Sequence, residues 1–270
     1  MGDIERFLYE DLNEKGDITS DGLLGDEAGK AFIISKECCI LAGLEEAKAV
    51  FSHLGLTVNL IMKDGEEARA NDRVMEIKGK ARSILAGERL ALNVISRMSG
   101  IASITNELVK TCRKKNAKIN IAATRKTTPG FRKYEKKAVT IGGGMAHRMG
   151  LYDGVIIKDN HLIYLSIREA IRKAKEKIDK PIEVEVESIE NAVIAAEEDV
   201  NIIMLDNMPP AKGKIAAREA RAVNPSVKIE VSGGITPENI ANYTFADIIS
   251  LGWLTHSVKS KDFSLEMEQL

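Results

Sequence analysis

PIEVEVESIENAVIAAEEDVNIIMLDN, residues 181–207, decides the fold. Two short apolar runs, PIEVEVE and VNIIMLD, flank a helical segment, NAVIAAEED. A strand–helix–strand unit of this size sets its two strands side by side and parallel. The same grammar extends outward from 118 to 252. KINIAAT (118–124), DGVIIK (153–158), VKIEVS (227–232) and ADIISLG (246–252) read as further strands, and LSIREAIRKAKEKI (165–178) as another helix. Six strands in this region, rather than eight, predict an incomplete or irregular α/β barrel.

The first part of the chain follows another pattern. Residues 4–12 look helical, AFIIS (31–35), TVNLIM (57–62) and RVMEIKG (73–79) read as strands, and LEEAKAVFSHLG (44–55) reads as a helix. A long helical stretch, ARSILAGERLALNVISRM, follows, with a second helix expected after Gly100. The division expected is a small α+β domain over 1–115, on which the C-terminal tail can pack back, and the barrel-like domain over 116–270.

Bulk properties exclude several functions. The 270 residues carry a formal net charge of −1, with 29% charged residues of mixed sign. A nucleic-acid binder would be strongly basic, so any cationic cluster is local and suits a small anion. No apolar run of membrane-spanning length occurs. The start, MGDIERFLYEDLNEKGD, lacks the cationic and apolar segments of a signal peptide. Cys38, Cys39 and Cys112 form no CxxC. They are expected to act as small hydrophobes in a reducing cytoplasm.

Chemistry concentrates where the barrel-like strands end, which in β/α barrels is the functional face. Glu183, Glu185 and Glu187 alternate with valines and so share one strand face. That face is either the exposed side of an edge strand or, on a central strand, a charged surface that demands cations or metal. Asp206 ends the next strand. Glu185 and Asp206 are the metal candidates, because carboxylates at neighbouring strand tips suit Mg²⁺ beside a substrate phosphate. SGGI (232–235) is either a plain tight turn or a phosphate cradle built on Ser232, Gly233 and Gly234, with Gly252 beside it. Arg125 and Lys126 leave one strand, Lys158 another, and His147–Arg148 follow the glycine run Gly142–Gly144. Cations converging on one mouth repel each other unless a polyanion joins them. Lys133, Lys136 and Lys137 read instead as a solvated helix face.

These residues carry a resemblance. TRKTTPG (124–130), GGG with His147–Arg148, IKDNH (157–161), EVEVE, LDN, SGGI and THS, together with EDLNEKGDITS, ILAGLEEA and ILAGERLALNVISRMSGIA earlier in the chain, closely resemble the quinolinate phosphoribosyltransferase family. The likeness runs in order over nearly the whole chain. It implies a type II phosphoribosyltransferase fold, an N-terminal α/β sandwich plus an incomplete α/β barrel. The implied reaction transfers phosphoribosyl from phosphoribosyl pyrophosphate to quinolinate and releases pyrophosphate and CO₂. It also implies a homodimer or larger assembly in which Arg89 completes the neighbouring site. Quinolinate's carboxylates would meet Arg125, His147, Arg148 and that Arg89, with His147 either a general acid or a plain hydrogen-bonding ligand. Lys126 and Lys158 would hold phosphate and carboxylate groups, Glu185 and Asp206 the ribose and Mg²⁺, and Ser232, Gly233 and Gly252 the 5′-phosphate. Ala123 and Ala146 depart from bacterial members, which usually have Asp and Asn there, and look like archaeal ones. The rival readings are a nicotinate phosphoribosyltransferase or a molybdenum-transport-associated homologue on the same scaffold, and a non-catalytic anion or nucleic-acid binder.

Overall fold

The computed structural model describes residues 2–268. The chain forms two compact units: one runs to Ile104 and resumes at Val258, and the other is Thr105–Ser257.

In the first unit, α1 (Asp3–Leu12) and α2 (Ile18–Leu23) precede β1 (Ala28–Ser35) and β2 (Cys39–Ile40). Asp17 starts α2 by accepting the backbone N–H groups of Thr19 and Ser20. Then come α3 (Leu44–His53), β3 (Thr57–Leu60), β4 (Glu67–Ala68) and β5 (Arg73–Lys80). β5 pairs antiparallel with both β1 and β3, and β2 pairs with β4. The alternating apolar positions of these strands meet α3 in a core that includes Ile33, Leu44, Phe51, Met75 and Ile77, all fully buried.

The helix α4 (Ala81–Arg113) follows. The two helices expected on either side of Gly100 are one helix of 33 residues. A helical glycine costs only about 1 kcal/mol relative to alanine. Here it serves packing, because a Cβ on Gly100 would lie 3.2 Å from Ser260 Cα. The units part inside this helix, earlier than residue 115.

The second unit carries β6 (Asn120–Ala122), α5 (Arg132–Ile141), β7 (Val155–Ile157), α6 (Asp159–Leu162), α7 (Ile167–Lys177), β8 (Ile182–Val186), α8 (Ile189–Glu197), β9 (Ile202–Asp206), α9 (Pro210–Val223), β10 (Lys228–Ser232), β11 (Ile248–Ser250) and α10 (Trp253–His256). The strands form one six-stranded sheet in the order β6-β11-β10-β9-β8-β7. Each neighbouring pair is parallel. The edge strands β6 and β7 do not pair, so the sheet is not a closed barrel. Local chemistry sets the helix starts. Ser166 and Glu169 form a capping box on α7, Ser188 caps α8, and Pro210 opens α9.

The last strand, β12 (Phe263–Glu268), returns to the first unit and pairs antiparallel with β1 from Ser35–Phe263 to Lys30–Glu268. Among the described residues no helix is long and apolar enough to cross a membrane. All three cysteines are free. Cys39 and Cys112 are buried, as expected of small hydrophobes, but Cys38 is exposed.

Candidate active site

The C-terminal ends of the six parallel strands open onto a cavity of 710 Å³ in the second unit. Strand alternation places its lining. β8 lies between β7 and β9, so the edge-strand reading of its glutamates is overturned. Glu183 is 4% exposed, Glu185 lines the cavity and Glu187 is exposed. In register, Glu185 stands opposite Met204, Met204 opposite Glu230, and Asp206 opposite Ser232. Lys158 forms an ion pair with Glu185. Burial, then the Glu185 charge, pushes Asp206 above its ordinary value. Two carboxylates in need of positive charge thus form one wall.

Arg125, Lys126 and Arg148 form the opposing set, and all three line the same cavity. Among the described residues none of them makes an ion pair. The Arg125 Nε is buried without a hydrogen-bond partner. Burial, then Arg125, depresses the Arg148 guanidinium. Lys126 is held by its backbone: Thr255 Oγ1 donates to its carbonyl at 2.6 Å. A Cβ on Gly252 would come within 2.7 Å of the Lys126 Cδ, so that glycine leaves room for the lysine.

The SGGI turn adds backbone. Gly233 and Gly234 have φ of +84° and +61°, the left-handed region that favours glycine. A Cβ on Gly233 would collide with the Asn207 side chain and lie 2.9 Å from its N. Asn207 itself, at φ 50°, donates through Nδ2 to Asp206 Oδ2 at 2.6 Å and through its N–H to the Ser232 carbonyl at 3.0 Å. It ties the glycine turn to the carboxylate wall.

Helix α5 corrects the solvated-face reading at one position. Lys133 and Lys137 are exposed, but Lys136 is 1% exposed. Its Nζ donates to the carbonyls of Ala146 and Arg148. Desolvation, then the neighbouring Arg132, pulls its pKa down to about 8. Buried Glu135 accepts from Thr128 N and Oγ1, both at 3.0 Å. Arg132 donates to Thr127 Oγ1 at 2.9 Å and to the Met149 carbonyl at 3.1 Å. One helix face therefore holds both cationic loops. The glycine run is packed as well. A Cβ on Gly144 would lie 2.8 Å from the Ile121 carbonyl, and Met145 bridges to Ala122.

Below Arg148 lies a network that the sequence reading missed. His147 Nε2 is 3.2 Å from Glu230 Oε2 and 3.5 Å from Glu183 Oε2. Ser250 Oγ donates to Glu230 Oε1 at 2.5 Å. Burial, then the Glu230 carboxylate, pushes Glu183 up to about 9. The His147, Glu183 and Glu230 ligand-type atoms lie within 4.8 Å of one another, so two buried acids meet at one imidazole. The signal for Glu230 was available: it is a lone acid inside an apolar strand, two residues before Ser232 and so on the same face. Arg89 stands exposed on α4 in the first unit and is not among the cavity's lining residues.

An open parallel sheet whose strand ends gather cations, two carboxylates and a glycine turn around one cavity is the architecture of an α/β enzyme suited to phosphorylated, multiply anionic substrates. The comparisons narrow the class. The chain belongs to the quinolinate phosphoribosyl transferase family, whose N-terminal domain matches residues 17–99 and whose C-terminal domain matches residues 101–266. It is 45% identical over 258 residues to a probable nicotinate-nucleotide pyrophosphorylase (carboxylating) of Archaeoglobus fulgidus, covering 94% of this chain and 99% of that protein. It is 38% identical to the human nicotinate-nucleotide pyrophosphorylase (carboxylating), covering 90% of this chain and 84% of the human one. The solved nicotinate-nucleotide pyrophosphorylase of Francisella tularensis superposes with a TM-score of 0.91 at 38% identity, covering 98% of this chain and 94% of that one.

Proposed function

We infer that the cavity of the second unit is where this chain carries out its reaction. Phosphoribosyl passes from phosphoribosyl pyrophosphate to quinolinate, and pyrophosphate and CO₂ leave to give nicotinate mononucleotide for NAD synthesis. One observation carries this reading: Arg125, Lys126 and Arg148 share a cavity without an acid partner among the described residues. A pyridine dicarboxylate and a sugar pyrophosphate bring the missing negative charge. In this assignment the guanidinium forks of Arg125 and Arg148 grip the ring carboxylates, with His147 in the same wall. Lys126 and Lys158 serve carboxylate and phosphate. Ser232, Gly233, Gly234 and Gly252 cradle the 5′-phosphate.

Glu185 and Asp206 would hold Mg²⁺ and face the ribose. The donor set fits, since these are two hard oxygen groups and burial, then the Glu185 charge, raises Asp206's need for a cation. The ion, when bound, neutralises charge on the departing pyrophosphate. The carboxylates stabilise positive charge on the ribose carbon, and the lysines meet the leaving oxygens. No protein nucleophile is needed. Decarboxylation follows because the positively charged ribosylated ring nitrogen stabilises the electron pair left on the adjacent ring carbon as CO₂ departs; that carbon then takes a proton from water while the arginines hold the remaining carboxylate. The decisive experiment supplies phosphoribosyl pyrophosphate, Mg²⁺ and either quinolinate or nicotinate. Nicotinate mononucleotide and CO₂ are expected from quinolinate; equal turnover of nicotinate, or no CO₂, would overturn the reading.

We further propose a homodimer, or a larger assembly of such pairs, in which Arg89 of one copy completes the cavity of the next. Support comes from the exposure of Arg89. It also comes from Leu151, Tyr152, Ile163 and Tyr164, large apolar side chains left between 72% and 84% exposed on both flanks of β7. Arg89→Ala and Arg148→Ala chains, each strongly impaired alone, are expected to regain partial activity when mixed. Three unpaired cysteines suit a cytoplasmic enzyme.

A further inference from the structure

We propose that Lys136 and Glu230 are positioning residues for quinolinate: they clamp His147 from its backbone and ring sides and so fix the chain from which Arg148 reaches the cavity. This rests on the reading that Arg148 grips a ring carboxylate.

The need for a clamp begins in the backbone. His147 has φ +53°, a left-handed conformation that a non-glycine residue keeps only when its surroundings impose it. Lys136 imposes it from α5. Its buried ammonium takes the carbonyls of Ala146 and Arg148, the two residues on either side of His147. A cation placed inside a cationic cluster is costly, and these two carbonyls are what it grips. Glu230 acts from β10. It is 0% exposed, holds Ser250 through one oxygen and His147 Nε2 through the other.

The ring decides what His147 can do. The Arg148 backbone N–H donates to its Nδ1 at 2.8 Å. That nitrogen is therefore bare, and Nε2 carries the hydrogen that Glu230 accepts. Both ring nitrogens are spent on protein, one on the main chain of Arg148 itself. The ring thus transmits the fixed position of β10 and β11 to Arg148. The guanidinium is then held at its far end by an Nη1 hydrogen bond to the Gly154 carbonyl at 3.0 Å. Carbonyl pins, ring pin and fork pin converge on one arginine.

The test is steady-state kinetics on Lys136→Met, Glu230→Leu, Glu230→Gln and Arg148→Ala, with folding checked by thermal melts. Lys136→Met and Glu230→Leu are expected to raise KM for quinolinate about tenfold or more while kcat and KM for phosphoribosyl pyrophosphate stay within about threefold. Glu230→Gln keeps an oxygen for His147 and an amide N–H for Ser250, so it should remain near the parent. A partly unfolded population would lower kcat and leave both KM values unchanged, and that pattern would overturn the proposal. So would KM values for both substrates rising together, or a quinolinate KM within twofold of the parent in the folded variants. If Lys136→Met does not fold, the contrast between Glu230→Leu and Glu230→Gln decides. Arg148→Ala separates the two ideas: if it leaves the quinolinate KM unchanged, the carboxylate reading itself falls, and the clamp with it. If it raises that KM and the clamp variants do not, only the clamp falls.

Discussion

The two walls of the cavity solve opposite problems. The wall built from the loops after β6 and before β7 carries Arg125, Lys126 and Arg148, with no ion-paired acid among the described residues. The wall built from β8 and β9 carries Glu185 and Asp206, with Lys158 ion-paired to Glu185. Each wall is electrostatically poor by itself, and each suits one half of the chemistry. The cations suit substrate anions; the carboxylates suit a metal ion and a developing positive centre. The walls also differ in how they are held. Regular strands place the acids, whereas loops stapled by α5 and the Glu230 network place the cations.

That contrast can be broken most severely on the cationic side. Arg125→Ala or Arg148→Ala should lower kcat/KM for quinolinate by ~10²–10³, since each removes a desolvated charge that meets a carboxylate. Next come the acids: Glu185→Gln and Asp206→Asn should cut kcat by roughly 10² and weaken the Mg²⁺ dependence, read by titrating the ion at saturating substrates. A third measurement sharpens the buried end of the acid wall. The folded chain keeps a proton on Glu183 that the unfolded chain releases above its ordinary value of 4.5. Stability from this site is therefore present at low pH and falls as pH rises toward about 9. Melting temperatures taken at about pH 5.5 and about pH 8.5 should show the drop, and Glu183→Gln should flatten it. The smallest effect is expected from Lys133→Ala, within about 0.5 kcal/mol by denaturant unfolding, because that side chain is exposed where Lys136 is not.

Sequence patterning revealed the parallel sheet almost completely, because a buried strand in an α/β unit is a dense apolar run that ends in a polar tip. All six strands and the polar residues at their C-terminal ends were legible for that reason. Three features were not. Gly100 looks like a helix stop in one dimension, but its role is set by Ser260, far along the chain. Lys136 has the same local pattern as Lys133 and Lys137, and only the fold turns it inward beneath two carbonyls. Glu230 signalled its face by alternation, but its partners His147 and Ser250 come from distant segments. Local periodicity records which way a residue points, not what it meets.

The return of β12 to the edge of β1 has a consequence for synthesis. Strands from residues 28–80 and from 263–268 build the first sheet, while the whole parallel sheet lies between them in sequence. On the ribosome the parallel sheet is therefore spelled out in full while β1, already supplied with β5 on one side, still waits for β12 on the other.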